Sequence, residues 1–122
     1  MAENGQVLVN LATGMEDPER VTVAFLVATA ALDKGKKVAV WLTKDAVRIG
    51  LPGEANGEAC EGCPPLERLL GQFAKGGGEL LVCPICFDAR KLDESQLVLN
   101  AKLAGASPLH DWIGDGATVF SY

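Results

Sequence analysis

Short apolar segments recur along the chain and alternate with stretches that have a helical pattern or a high content of Gly, Pro and charged residues. Four of these segments are rich in Val and Leu and are too short for buried helices, so they predict buried strands. They cover residues 6–12, 37–43, 79–83 and 117–122. Alternation of such strands with helical segments is typical of α/β proteins.

The clearest helix signal lies between the first two strands. Asp17 is suited to capping the start of a helix, and Pro18 is suited to the first helical position. The helix is predicted to end near residue 33, and Gly35 stops it. Apolar residues surround almost the whole helix and leave only a narrow polar stripe through Thr22 and Thr29. A helix with this pattern is expected to be buried on more than one side.

Two further helices are predicted before the third strand. Residues 44–50 favour a short helix, and residues 66–73 place their large apolar side chains on one helical face. These side chains are Leu66, Leu69, Leu70 and Phe73. A run of glycines at 76–78 ends the second helix. Between the two, residues 51–62 are rich in Gly, Pro, Glu and Asn, which predicts an exposed and mobile loop.

The segment after the third strand predicts two more helices. Asp93, followed three residues later by Gln96, resembles a capping box and predicts a helix that stops at Gly105. Ser107 followed by Pro108 gives a second cap-and-proline start for a short helix. The last strand then ends the sequence.

Together these elements predict one three-layer α/β domain over residues 1–122. The first strand–helix–strand unit favours parallel pairing with a right-handed crossover, so the sheet is expected to be mostly parallel, with about four or five strands. Binding sites in such sheets gather beyond the C-terminal strand ends. The sequence places residues 13–14, 43–45 and 83–86 there.

Charge and hydropathy narrow the classes of partner. Eleven Lys and Arg against sixteen Asp and Glu give a formal net charge of −5, which argues against direct nucleic-acid binding. The longest uncharged apolar-rich run, residues 21–32, is shorter than the roughly 20 residues of a membrane-spanning helix, so no membrane span is expected. The first residues lack the pattern of a secretory signal, which predicts a cytoplasmic protein.

The four cysteines form two CxxC pairs, Cys60 with Cys63 and Cys83 with Cys86. In a reducing compartment such pairs indicate metal, redox or sulfur chemistry before structural disulfides. Their combined spacing lies in the range of zinc ribbons, so a non-enzymatic module with zinc on all four thiolates is one alternative, and a redox-active CxxC protein is another. The helix and buried strand predicted between the pairs differ from the hairpins of a zinc ribbon, and outside this alternative no cofactor is expected.

Cys83 and Cys86 are the stronger candidates for chemistry. Cys83 ends an apolar strand at the edge where sheet ligands bind. A thiol reacts as its thiolate, which a nearby cation favours, and Arg90 follows Cys86 closely enough to supply that charge. A single buried cysteine would be interpreted as a small hydrophobic residue. The second cysteine and Arg90 favour a functional site.

Several segments together carry a resemblance to a known family. They are the Asp-Pro-Glu-Arg sequence at 17–20, residues 43–47, the Cys-Pro-Ile-Cys sequence with the following Ala-Arg at 83–90, and residues 104–106 and 117–119. In this pattern the chain resembles the DsrE/DsrF-like sulfur-relay proteins over nearly its whole length. The usual Arg-Gly after the cysteine is Arg90-Lys91 here, and the Cys60/Cys63 pair lies outside the family's core pattern.

The resemblance implies a small three-layer α/β subunit that assembles into homotrimers or homohexamers and handles sulfur as a cysteine persulfide. The family's sulfur-carrying cysteine closes the third strand a few residues before a basic position, which implies that role for Cys83. The resulting hypothesis is a thiol-based sulfur carrier or sulfurtransferase that exchanges sulfur with donor and acceptor proteins. In it Cys83 accepts the persulfide sulfur, Cys86 is a resolving or supporting thiol, and Arg90 stabilises the thiolate.

Overall fold

Five parallel strands form a single sheet in the computed structural model, which describes residues 5–57 and 59–122. The strands are β1 (Gln6–Leu11), β2 (Lys37–Leu42), β3 (Glu79–Val82), β4 (Ala101–Leu103) and β5 (Thr118–Ser121). Their order across the sheet is β4-β3-β2-β1-β5, and each neighbouring pair is parallel. The predicted α/β class and parallel sheet are confirmed, and β4 is a strand that the sequence does not predict.

The helices connect the strands as crossovers. They are α1 (Pro18–Asp33), α2 (Leu66–Lys75), α3 (Pro84–Ala89) and α4 (Ala106–Ile113), with 3₁₀ helices at Lys44–Gly50 and Glu94–Gln96. The start of α1 is as predicted, because the Asp17 carboxylate accepts the Arg20 amide at 3.1 Å, with Pro18 as the first helical residue.

The side chains of the sheet alternate between two apolar layers. Val7 and Val9 of β1 belong to the larger core cluster, which also contains Phe25 of α1 and Phe73 of α2. The two rings meet edge to face with centroids 5.6 Å apart. Leu8 points to the other face, where a smaller cluster includes Leu109 of α4. Helices therefore cover both faces of the sheet, as the predicted three-layer architecture requires.

The exposed side of α1 differs from the predicted polar stripe. Thr22 is only 1% exposed, and its hydroxyl donates to the Pro18 carbonyl at 2.8 Å. Val23 and Leu26 are instead each 40% exposed. Burial of Thr22 is tolerated because the carbonyl one turn earlier satisfies its hydroxyl, so the helix keeps an apolar outer surface.

The predicted helix from Asp93 to Gly105 is wrong. Asp93 caps only a short 3₁₀ turn, in which its carboxylate accepts the Ser95 amide at 2.9 Å. The chain then extends, and the Asn100 carbonyl accepts the Leu80 amide at 2.9 Å as β4 pairs with β3. Pairing with β4 gives the backbone groups at the edge of β3 hydrogen-bond partners, which a helix at this position would not supply. The stability gained from these long-range hydrogen bonds outweighs the local preference for a helix after Asp93.

The short helix near Ser107 is confirmed, but its predicted cap is wrong. Gly105 is the N-cap of α4, and its carbonyl accepts the Leu109 amide at 3.0 Å. Pro108 therefore lies in the third helical position rather than the first. That position still belongs to the first turn, where a backbone amide has no partner inside the helix, so proline costs no hydrogen bond.

The predicted loop at 51–62 has no regular secondary structure among its described residues, and Glu58 lies outside them. Most of the loop is exposed, as predicted, but Ala55 is only 4% exposed and belongs to the larger core cluster. The Gly57 carbonyl accepts the amide of Leu66 at the start of α2. Leu51 also packs against this cluster. The described part of the loop is thus attached to the core at several residues, and its mobility stays a prediction.

Candidate functional site

Cys83 stands where β3 passes into α3. Its amide donates to the Leu42 carbonyl of β2 at 3.0 Å, which extends the sheet ladder by one residue past the end of β3. Its carbonyl accepts the Phe87 amide at 3.0 Å, so Cys83 is also the N-cap of α3. The thiol is free and partly buried. Bonds on both sides of Cys83 hold its backbone at the C-terminal edge of the sheet.

Helix α3 is oriented by one aromatic anchor. Phe87 is 1% exposed and belongs to the larger core cluster, whereas Ile85, between the two cysteines, is 81% exposed. Cys86 is a free, partly buried thiol that packs against the same cluster as Cys83. The pair lies between the core and solvent, so both thiols combine a fixed backbone with partial access from outside.

Arg90 connects the end of α3 to the 3₁₀ helix after β2. Its Nε donates to the Asp45 carboxylate at 3.1 Å and its Nη1 donates to the Cys86 carbonyl at 3.1 Å. The side chain is 27% exposed. Arg90 therefore lies in the CxxC segment as the sequence predicts, and these bonds fix its guanidinium beside the backbone of Cys86. Its stabilisation of the Cys83 thiolate stays a prediction.

Asp45 is a site residue that the sequence analysis assigns no role. Its carboxylate accepts Arg48 Nε at 2.9 Å and Arg90 Nε at 3.1 Å. The hydrogen bonds of Arg48 first, and of Arg90 second, lower the pKa of Asp45 below its ordinary value. Two guanidinium groups share one carboxylate, so this three-residue cluster carries a net positive charge close to the CxxC helix.

Three neighbouring strand ends meet at this cluster. A side-chain carbon at Gly14, in the loop after β1, would lie 2.9 Å from the carbonyl carbon and oxygen of Asp45. Only glycine allows this close approach of the two backbones. Asp45 follows β2 and Arg90 follows β3, so the segments at 13–14, 43–45 and 83–90 converge as the parallel sheet predicts.

The lowered pKa of Asp45 predicts an acid-dependent contribution to stability. The folded pKa is lower than the unfolded value near 3.8, so the contribution is present above that value and is lost as the pH falls through the folded pKa. The carboxylate is partly exposed, so the effect is small. We expect Asp45→Asn to lower the melting temperature at neutral pH and to have progressively less effect below about pH 4. Thermal unfolding of the native protein and the variant across this pH range checks the prediction. A difference in melting temperature that is the same at every pH would contradict the acid-dependent contribution of Asp45.

Cys60 and Cys63 form a disulfide in the loop before α2, with their Cα atoms 5.3 Å apart. The sequence favours metal, redox or sulfur chemistry over a disulfide for these residues. Within residues 5–57 and 59–122, no three His, Cys, Asp or Glu side chains are grouped as metal ligands. A zinc site would need thiolates of both pairs around one ion, and this alternative stays a prediction.

Comparison with protein families gives a match that includes the residues of the candidate site. The model of the DsrE/DsrF-like family matches residues 6–122. The chain belongs to the DsrE/DsrF-like family. A relative in Methanopyrus kandleri, MK0008, is 30% identical over 104 residues, which are 85% of this chain and 83% of that protein. A second, MJ0760 of Methanocaldococcus jannaschii, is 27% identical over 94 residues, which are 77% of this chain but 34% of the longer relative.

Solved structures of similar proteins support the DsrE-like fold. The YchN protein of E. coli superimposes with a TM-score of 0.80 at 18% identity, over 97% of this chain and 99% of that chain. MTH1491 of Methanobacterium thermoautotrophicum gives a TM-score of 0.74 at 11% identity, over 97% and 99% of the two chains. At these identities the likeness concerns the fold alone. Among the described residues, no helix is both long and apolar enough to span a bilayer.

Proposed function

We propose that this DsrE/DsrF-like protein is a cytoplasmic sulfur carrier that holds sulfur as a persulfide on Cys83. The observation that supports this most is the position of a free, partly buried thiol at the end of β3, within the segment that Arg90 ties to Asp45. A rigid strand end fixes the reacting atom, and the adjoining loops leave it reachable. The family to which the chain belongs supports sulfur-relay chemistry in general.

The proposed loading step is a sulfur transfer between thiols. The Cys83 thiolate attacks the outer sulfur of a donor persulfide, the bond between the two donor sulfurs breaks, and the donor leaves as a thiolate. Cys83 then carries one additional sulfur. Transfer to an acceptor thiolate is the same reaction in reverse, so no electrons are gained or lost overall. The donor and the acceptor are other proteins in this proposal.

Arg90 and Cys86 have supporting roles in the proposal. A persulfide and a thiolate are both anions at neutral pH, so the net positive cluster of Asp45, Arg48 and Arg90 favours them over the neutral thiol. Cys86 lies one helical turn from Cys83 and is the nearest thiol along the chain. It resolves a stalled Cys83 persulfide by attacking Cys83 Sγ, which forms a Cys83–Cys86 disulfide and releases hydrosulfide.

Loading followed by cyanide treatment tests the proposed function. Protein with the Cys60–Cys63 disulfide intact and Cys83 and Cys86 reduced is incubated with glutathione persulfide, desalted under nitrogen, and treated with cyanide, which removes a persulfide's outer sulfur as thiocyanate. We expect about one thiocyanate per chain, because one cysteine is the proposed carrier. Protein alkylated before loading is the control and should yield none. A native protein that yields no more thiocyanate than the alkylated one would refute the carrier function.

We also propose that the protein forms a homo-oligomer through the outer surface of α1 and the neighbouring strand β5. Val27 of α1 and Phe120 of β5 line a common apolar groove, beside the exposed Leu26. β5 is an outer strand of the sheet and carries no charged residue or proline. Such residues normally keep edge strands from pairing with other chains, so a bare edge favours association.

The proposed homo-oligomer should dissociate when a charged residue is introduced on the outer surface of α1. Leu26→Asp should dissociate the assembly, because it places a carboxylate in a desolvated apolar contact. Leu99→Asp is the control, since Leu99 is fully exposed on another part of the surface, and it should leave the assembly unchanged. Light scattering over a dilution series measures both. A native chain that is monomeric at micromolar concentration would show that the proposal is wrong.

A further inference from the structure

The Cys60–Cys63 disulfide is poorly suited to a structural role. It joins residues only three positions apart in one loop. A structural disulfide stabilises mainly by closing a long loop of the unfolded chain or by joining separate elements, and this bond does neither. Both cysteines are partly exposed, so the bond is open to attack by other thiols. These properties are those of a bond that is made and broken in use.

The topology places this pair at the same end of the fold as Cys83. Helix α2 follows the pair, and the Gly78 amide donates to the Phe73 carbonyl at 2.9 Å as the chain reverses into β3. α2 is about 15 Å long at 1.5 Å per residue, and β3 is about 13 Å long at 3.3 Å per residue. The start of α2 is therefore level with the end of β3.

The elements that follow the two cysteine pairs both pack into the larger core cluster. Leu66, the first residue of α2, and Phe87 of α3 are each 1% exposed and belong to the same core cluster. Cys63 lies shortly before Leu66 in a loop that contains glycines with positive φ at Gly57 and Gly62. Glycine at such positions gives the backbone freedom to change conformation. A role of the loop pair at Cys83 requires this loop to move toward the CxxC helix, and such a movement needs no change in the strands of the sheet.

We propose that Cys60 and Cys63, in the dithiol form, discharge the persulfide of Cys83 as sulfide. This inference rests on the proposed function of Cys83 and assigns a role to the pair that the family's core pattern lacks. The dithiol form makes the protein release its sulfur, and the disulfide form leaves the sulfur on Cys83 for transfer. The structure, with Cys60–Cys63 closed and Cys83 and Cys86 free, corresponds to the form that can load and keep a persulfide.

The discharge is a two-step thiol exchange. One thiolate of the loop pair attacks the outer sulfur of the Cys83 persulfide, and Cys83 leaves as a thiolate. The second thiolate of the pair attacks Sγ of the first, forms the Cys60–Cys63 disulfide and expels hydrosulfide. The sulfane sulfur gains two electrons and the two loop thiols lose them. An external dithiol reductant then reduces the loop disulfide and restores the dithiol form.

The lifetime of the persulfide tests this role. A Cys86→Ser background removes the resolving thiol of the CxxC helix. Fully reduced C86S protein, desalted under nitrogen, receives about one equivalent of glutathione persulfide, and the released sulfide and the peptide masses are followed in time. We expect sulfide release together with a Cys60–Cys63 disulfide. In the C60S/C63S/C86S variant the additional sulfur should remain on Cys83, with release slowed at least about ten-fold.

Two outcomes would overturn the inference. Equal persulfide lifetimes in C86S and C60S/C63S/C86S would show that the loop pair does not act on Cys83. Equal rates of sulfide release in C83S/C86S and C86S would show that the pair reacts with the donor directly. If the C60S/C63S/C86S variant takes up no sulfur on Cys83, the carrier function itself fails, so the two claims are distinguished.

Discussion

Replacing Cys83 with serine is expected to abolish the sulfur that cyanide can remove after loading, because serine lacks the nucleophile yet nearly matches cysteine in size. The backbone bonds that position residue 83, from its amide to Leu42 and from Phe87 to its carbonyl, do not involve the side chain. The variant should therefore keep its fold, which circular dichroism checks. Thiocyanate yield after loading is the measurement.

The loop cysteines provide the matched control. Cys60→Ser and Cys63→Ser each remove one thiol from the loop before α2 and leave β3 and α3 unchanged. Loading of both variants should match that of the native protein with its loop disulfide intact. If Cys83→Ser retains the native yield of thiocyanate, or if a loop variant alone loses it, Cys83 is not the carrier.

Replacing Phe87 with alanine should lower the free energy of unfolding by about 3–5 kcal/mol. Phe87 is one of the large fully buried side chains, at 1% exposure, and alanine would leave a cavity between α3 and the core. The loss is a large part of the about 5–15 kcal/mol that holds a typical domain folded. Urea unfolding followed by fluorescence measures it. The same change should loosen the helix that carries both Cys86 and Arg90.

Ile85 on the same helix is the control for this prediction. It is 81% exposed, so Ile85→Ala also truncates a large apolar side chain of α3 to alanine but opens no cavity. We expect a change within about 0.5 kcal/mol. Comparable losses for both variants would show that α3 does not depend on Phe87 for its attachment.

The sequence predicts the sheet well because its signals there are local. Residues 6–12 and 37–43 are apolar enough to predict buried strands, and the structure differs by one residue at the end of each. The helix start at Asp17 is confirmed for the same reason, since its hydrogen bond spans three residues. Strand β4 could not be predicted in this way. It is only three residues long, and pairing with β3 decides its conformation.

The candidate site likewise combines contacts that the local sequence predicts with contacts that depend on the tertiary fold. The Asp45–Arg48 ion pair spans three residues and could be predicted from the sequence, whereas Arg90 reaches Asp45 across 45 positions. Nothing in the local sequence indicates that second contact. The apolar strand pattern places Cys83 at the end of the third strand, directly after the last residue of β3, and the family resemblance gives no role to Cys60 and Cys63. Their disulfide depends on the conformation of the loop, which composition alone describes only as exposed.

The most direct test of the sulfur-carrier account is a peptide mass map of the native protein after loading. Cleavage after Lys and Arg separates the two cysteine pairs, because residues 49–68 contain Cys60 and Cys63 and residues 76–90 contain Cys83 and Cys86. With the loop disulfide intact, the account predicts an added mass of about 32 Da on the 76–90 peptide, and fragmentation should assign it to Cys83. An added sulfur on the 49–68 peptide alone, or on neither peptide, would contradict the account.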